Sequence, residues 1–262
     1  MTAPVRVERK GHVLEVTLDR PKVNAIDSAT SRALGQAFIR LRDDPELRVA
    51  ILTGAGERIF SAGWDVKAVH RGEESFESDH GPGGFAGLTE LWDLNKPVIA
   101  AVNGHAIGGG LELVLACDVV VAAAHAELWI PDLPLGIVPD GGAIPRLARR
   151  LPYNVAMEMM LLNRHLTAAE ALRFGFVNAV VPAGELMAKA REWAEMIASG
   201  APLAIQAIKE WQRESESLSV RQSLDLARSG KLGFFERVRA SEDAREGPHA
   251  FAEKRKPVFK GR

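Results

Sequence analysis

One cysteine, Cys117, stands in 262 residues, so no internal disulfide forms and nothing points to an oxidising compartment. No apolar run approaches the roughly 20 residues that span a bilayer. The opening MTAPVRVERKG lacks a hydrophobic signal stretch, and the expectation is a soluble cytoplasmic protein. An excess of charge is missing too. The 33 Lys and Arg side chains nearly balance 34 Asp and Glu, for a formal net charge of -1. That balance gives no electrostatic reason to expect nucleic acid or an anionic membrane as a partner. Low-complexity tracts and internal repeats are also lacking. With 47% hydrophobic and 26% charged residues, the composition is that of a folded chain rather than a disordered one.

Familiar catalytic signatures are absent as well. There is no G-x-S-x-G nucleophile elbow and no G-x-x-x-x-G-K-[ST] phosphate loop. Gly81-Pro-Gly83-Gly-Phe-Ala86 fits G-x-G-x-x-A formally, but no strand precedes it and a proline interrupts it, so the dinucleotide reading fails. The seven histidines are scattered, without H-E-x-x-H or a Cys/His cluster, and no metal site is expected. Cys117 sits in an apolar run, where a buried, inert thiol is expected.

What is present is layered. VRVE and HVLEVTLDR read as a hairpin around Lys10-Gly11. A helix opens at Asp27 or Ser28, with Ala33, Leu34, Ala37, Phe38 and Leu41 at three-and-four spacing. VAILTG (49–54), VIAAV (98–102) and DVVVAA (118–123) are short apolar runs of the buried-strand kind. Strand, turn and helix recur through the first two thirds, which predicts an α/β core. Thr167 to Glu170 is a capping box, and Gly175 stops that helix. Tyr153 and Met157 to Met160 read as an amphipathic helix. After VNAVV (177–181), helical patterns follow over 183–199, 202–216 and 219–237, then a basic, Pro/Gly-punctuated tail. The division expected is a core over 1–190 and a helical appendage over 191–262.

Three segments carry the chemistry. Phe60-Ser-Ala-Gly-Trp-Asp65 places small residues between a strand and a helix. In Asn103-Gly-His-Ala-Ile-Gly-Gly-Gly-Leu-Glu112, glycines lead into a helix whose N-terminal N–H groups favour negative charge. Glycine there lets a ligand approach the backbone. Glu112 in the first turn is either a functional carboxylate or a simple complement to the helix dipole. Trp129-Ile-Pro-Asp132 through Gly136-Ile-Val-Pro-Asp140-Gly-Gly sets two carboxylates among apolar residues. Asp140 before two glycines also suits a turn or a helix cap.

Together these segments resemble the crotonase (enoyl-CoA hydratase/isomerase) superfamily, whose pattern runs A-G-x-D, N-G-x-A-x-G-G-G-x-E and P-E-x-x-x-G-x-x-P. The likeness extends from RPKVNAID (20–27) to the FAEKRKPVFKGR tail. Within the superfamily, SAGWD, GPGGFAGLTE (81–90), LGIVPD and the tail are most similar to the branch that dehydrates a β-hydroxyacyl-CoA bearing a trimethylammonium group. The resemblance implies a ββα spiral core capped by a C-terminal helical trimerisation region, and a homotrimer or dimer of trimers. It implies an acyl-CoA thioester substrate, with no metal or cofactor beyond the CoA of that substrate. By motif position, the N–H groups of Trp64 and Gly109 hold the thioester oxygen. CoA contacts fall on Lys22, Val23, Ala25, Ala62, Asp65 and Val66, with Phe251 and Lys254 of the tail completing the CoA site, often that of a neighbouring subunit. Glu112 and Asp132 take the acid/base positions, and Asp140 is a third candidate.

One departure stands out. Position 132 carries Asp where the family pattern has Glu, which withdraws the carboxylate by about 1.5 Å. Trp64, Phe85, Trp92, Trp129 and Glu90 are candidates to face a cationic acyl group, against a reading of each as packing. Three functions are therefore weighed. The first is a hydro-lyase. The second is an enoyl-CoA isomerase with Asp140 or Glu112 as proton shuttle, and the third a non-catalytic acyl-CoA binder.

Overall fold

The computed structural model describes residues 3–262. Twelve strands follow in chain order: β1 Val5–Lys10, β2 Val13–Leu18, β3 Ala25–Ile26, β4 Val49–Gly54, β5 Ile59–Ser61, β6 Gly63–Trp64, β7 Val98–Val102, β8 His105–Ile107, β9 Val119–Ala123, β10 Glu127–Trp129, β11 Leu166–Thr167 and β12 Ala179–Val181. The early helices are α1 Ser28–Asp43, α2 Val66–His70, α3 Gly109–Leu115, α4 Ala143–Arg150, α5 Tyr153–Leu162 and α6 Ala168–Arg173. Five more close the chain: α7 Leu186–Ala198, α8 Pro202–Glu214, α9 Val220–Arg228, α10 Gly233–Ala240 and α11 Asp243–Ala252.

The expected hairpin forms, with Lys10 opposite Val13. From β2 onward the large sheet is parallel, in the order β1-β2-β4-β7-β9-β12. The strand after each apolar run crosses to a second sheet, ordered β11-β10-β8-β5. Each circuit of chain thus adds one strand to each sheet, which is the ββα spiral. Continuous burial on both faces explains why β4, β7 and β9 are unbroken apolar runs rather than alternating ones. One core lies inside the spiral around Leu14, Leu34, Phe38, Leu52 and Leu111. On the outer face of the large sheet, Ile51, Ile99 and Val121 pack on α7.

α1 begins as expected: the Asp27 side chain accepts the Thr30 N–H at 2.7 Å. The Thr167–Glu170 capping box also forms. Three boundaries need correction. Residue 190 lies inside α7, whose Leu186, Ala190, Ala194 and Ala198 are buried on the sheet, so the layered core runs to residue 198. The pattern over 219–237 is two helices, because Gly230 takes a φ of +72° between them. Residues 246–252, the start of the Pro/Gly-punctuated tail, lie in α11 despite Pro248. Ties to the last residues stabilise it: Glu246 accepts Arg255 and the Val258 N–H, and Asp243 accepts the N–H groups of Lys260 and Gly261. No helix among the described residues is long and apolar enough to cross a membrane.

Candidate active site

Two backbone segments meet at the glycines. Gly63 adopts a φ of +78°, and a Cβ there would lie 2.6 Å from the Gly109 nitrogen. Only glycine permits that approach. The N–H groups of Ala62 and Asp65 donate to Val23 and Ile26 at 2.9 and 3.0 Å. Trp64 lies between these two tied amides. Gly109 opens α3, where a first-turn N–H has no acceptor within the helix. A Cβ on Gly109 would stand 3.3 Å from the Trp64 nitrogen and 2.5 Å from the Phe85 ring. The two amides are therefore neighbours under an aromatic wall.

Glu112 lies one turn into α3 and is only 4% exposed. Its Oε1 accepts the Ala143 N–H at 2.9 Å, and its Oε2 leaves no room for a side chain at Gly141. Asp132 follows β10 and is 8% exposed. Backbone N–H groups of Leu135 and Ile137 fix its position by donating to the Asp132 carbonyl. Asp140 sits at the exposed rim. Burial pushes the Glu112 carboxyl up to about 7, opposed by the Ala143 N–H and aided by the charges of Asp132 and Asp140. Burial, with Asp140, raises Asp132 to about 6. Both carboxyls are thus held toward the protonated form, and the charge of Asp132 adds to that hold on Glu112.

The three carboxylates line a cavity of about 330 Å³ together with Trp64, Gly109, Phe85 and Glu90. Trp64, Phe85 and Glu90 thus face the site, where packing was the competing reading. Trp92 and Trp129 do not: Trp129 stacks on His165 at 4.1 Å, and Trp92 is largely exposed beside Arg146. Phe76, Asp79 and His80 also line the cavity and were missed. The only signal was Phe76 as a lone apolar residue within the polar run EESFESDH (73–80). The lining contains acidic and aromatic side chains but neither Lys nor Arg.

Of the expected CoA residues, Lys22, Val23 and Val66 are exposed, and Ala25 and Ala62 are partly buried beside the β3–β6 ladder. Asp65 is buried. Its side chain caps α2 through the Ala68 N–H at 3.0 Å and pairs with Arg20 at 2.7 Å. Burial alone would raise its pKa, but the Ala68 N–H and Arg20 outweigh it and the net direction is down. A carboxylate so engaged leaves backbone atoms for a ligand. Phe251, 86% exposed, and exposed Lys254 line no part of this cavity.

A sequence profile of the enoyl-CoA hydratase/isomerase family matches residues 8–262. Carnitinyl-CoA dehydratases of Proteus mirabilis and Salmonella typhi are each 55% identical over 262 residues, covering 100% of both chains. The crystal structure of an enoyl-CoA hydratase from Mycobacterium marinum superposes with a TM-score of 0.90 at 41% identity, covering 99% of each chain. That of an enoyl-CoA hydratase from Mycobacterium tuberculosis gives 0.90 at 40% identity, again over 99% of each. On sequence and fold together, the chain belongs to the enoyl-CoA hydratase/isomerase family.

Proposed function

We propose that this protein is a hydro-lyase that interconverts a β-hydroxyacyl-CoA and an enoyl-CoA, with carnitinyl-CoA and crotonobetainyl-CoA as the pair. The observation that carries the reading is two buried carboxylates of raised proton affinity in one cavity with two neighbouring backbone N–H groups. In dehydration, the Asp132 carboxylate takes the α-proton and the electron pair moves onto the thioester oxygen. The N–H groups of Trp64 and Gly109 hold that charge; one such donor is worth about 10²–10³ in rate. The pair then returns to form the α,β double bond as the β-hydroxyl leaves with the Glu112 proton, as water. Hydration is the reverse. Both directions use the singly protonated carboxylate pair. Activity therefore falls on the acid side near 6, as Asp132 protonates, and on the alkaline side near 7, as Glu112 ionises.

The steps balance with no cofactor beyond the CoA of the substrate. CoA lies along Lys22, Val23, Ala25, Ala62, Val66 and the Asp65 backbone, with Phe251 and Lys254 of a neighbouring subunit completing its site in a trimer or dimer of trimers. A trimethylammonium group suits the acyl end, since Asp79, Glu90 and Asp140 join aromatic rings there without a competing Lys or Arg. The names of the relatives point to the same substrate. The test compares kcat/KM for crotonobetainyl-CoA and crotonyl-CoA. A clear preference for the cationic ester is expected; a preference for crotonyl-CoA would remove the substrate assignment, and no turnover of either would remove the hydro-lyase.

A further inference from the structure

Arg146 lies behind the cavity on α4, and its hydrogen bonds both go to carbonyl oxygens rather than carboxylates. Nη2 donates to Thr89 at 2.6 Å and Nη1 to Gly141 at 3.3 Å. Thr89 precedes the wall residue Glu90, and its hydroxyl donates to the Phe85 carbonyl at 2.8 Å. Gly141 is the residue against which Glu112 rests: a Cβ there would lie 2.5 Å from Oε2. Gly142, with a φ of +110°, leaves the guanidinium its space, since a Cβ would stand 1.8 Å from Nη1. On the open side the guanidinium carbon lies 5.7 Å from the centre of the Trp92 ring. One planar fork therefore joins the turn beneath Glu112 to the wall segment of Phe85 and Glu90.

We infer that Arg146 is a positioning residue for the hydration reaction: it clamps these two segments and supplies the cationic field under which Glu112 exchanges its proton. The inference rests on the hydro-lyase reading above. Asp132 and Asp140 line the cavity with Glu112, and Arg146 stands behind it at the Gly141 turn. The two acids strengthen the hold of Glu112 on its proton and Arg146 weakens it. Asp132 answers instead to burial, Asp140 and its own backbone. The guanidinium's hydrogen bonds reach the turn on which Glu112 rests and the Thr89 carbonyl, and neither goes to the Asp132 segment.

Two full-length variants separate charge from clamp. Arg146→Gln keeps N–H donors and loses the charge; Arg146→Lys keeps the charge and loses the planar fork. For Arg146→Gln, the alkaline limb of the kcat/KM profile moves up by about half a pH unit while the acid limb stays. For Arg146→Lys, both limbs stay and kcat falls about ten-fold, with a smaller change in KM. An Arg146→Gln profile scaled down without movement of its alkaline limb overturns the inference. Should that variant not fold, Arg146→Met is uncharged at similar volume and carries the same comparison. If the wild type turns over no enoyl-CoA, the hydro-lyase reading fails by itself. Infrared difference titration of Glu112, wild type against Glu112→Gln, then decides: ionisation at higher pH in Arg146→Gln supports the field of Arg146, and unchanged ionisation refutes it.

Discussion

Asp132 brings a shorter carboxylate than the family pattern to the cavity, yet it is buried and faces the same space as Glu112. Its worth lies in proton affinity: both carboxyls hold their protons toward neutrality, where the proposed reaction needs one acid and one base. Asp132→Asn removes the base, and kcat is expected to fall about 10²–10⁴-fold with CoA-ester affinity retained. Asp140→Asn, at the exposed rim, should cost less; the reverse order in steady-state kinetics would favour the isomerase. The same pKa shift has a stability sign. Glu112 holds its proton more tightly folded than unfolded, so its contribution is fully present below about 4.5 and lost as pH rises through about 7. Glu112→Gln keeps an acceptor for Ala143 and no ionisable group. Its stability relative to wild type should rise by on the order of 3 kcal/mol between pH 4 and 8, read from urea unfolding. Unchanged relative stability would contradict the buried, shifted carboxyl. Glu112 and Asp132 were legible from their motifs; their raised proton affinities were not, because burial belongs to the fold. Asp65 shows the converse, a motif residue whose side chain the local helix cap and Arg20 already occupy.

At the scale of the element, α3 is short, wholly buried and opened by glycines. The glycines do different work. A Cβ on Gly110 would meet the Ser61 carbonyl at 2.3 Å, a backbone atom that cannot swing aside, whereas one on Gly109 would meet the Phe85 ring. Gly110→Ala should therefore lose about 1–3 kcal/mol of stability. Gly109→Ala should stay folded by displacing Phe85 and lose activity instead, measured as melting temperature against kcat/KM. Equal effects of the two on stability would contradict this packing. Glycines, apolar runs and caps made the layered α/β core readable, since each dictates local backbone, whereas the spiral came from the family resemblance. α11 was not readable: Gly247 and Pro248 argue against a helix locally, and the side-chain ties to residues 255–261 that hold it are non-local.

For the whole molecule, the unfinished surface is apolar. Trp92, Met196 and Ile208 are 62%, 65% and 69% exposed and line one groove between the core and α8. That placement suits the assembly proposed from the family resemblance, in which the tail of one subunit reaches the CoA site of another. Light scattering should give a multiple of the 28.4 kDa chain, and Ile208→Glu should lower that mass and raise the KM for CoA esters. A monomeric wild type with full activity would refute the arrangement. A helical appendage was visible in the sequence by its amphipathic spacing, but which face it leaves open depends on how α7 and α8 pack.

The most direct measurement of the whole account is incubation with crotonobetainyl-CoA in heavy-oxygen water, followed by product mass. Incorporation of one heavy oxygen into carnitinyl-CoA, abolished in Glu112→Gln, is the predicted result. A product with a migrated double bond and no solvent oxygen, or no product at all, would contradict it.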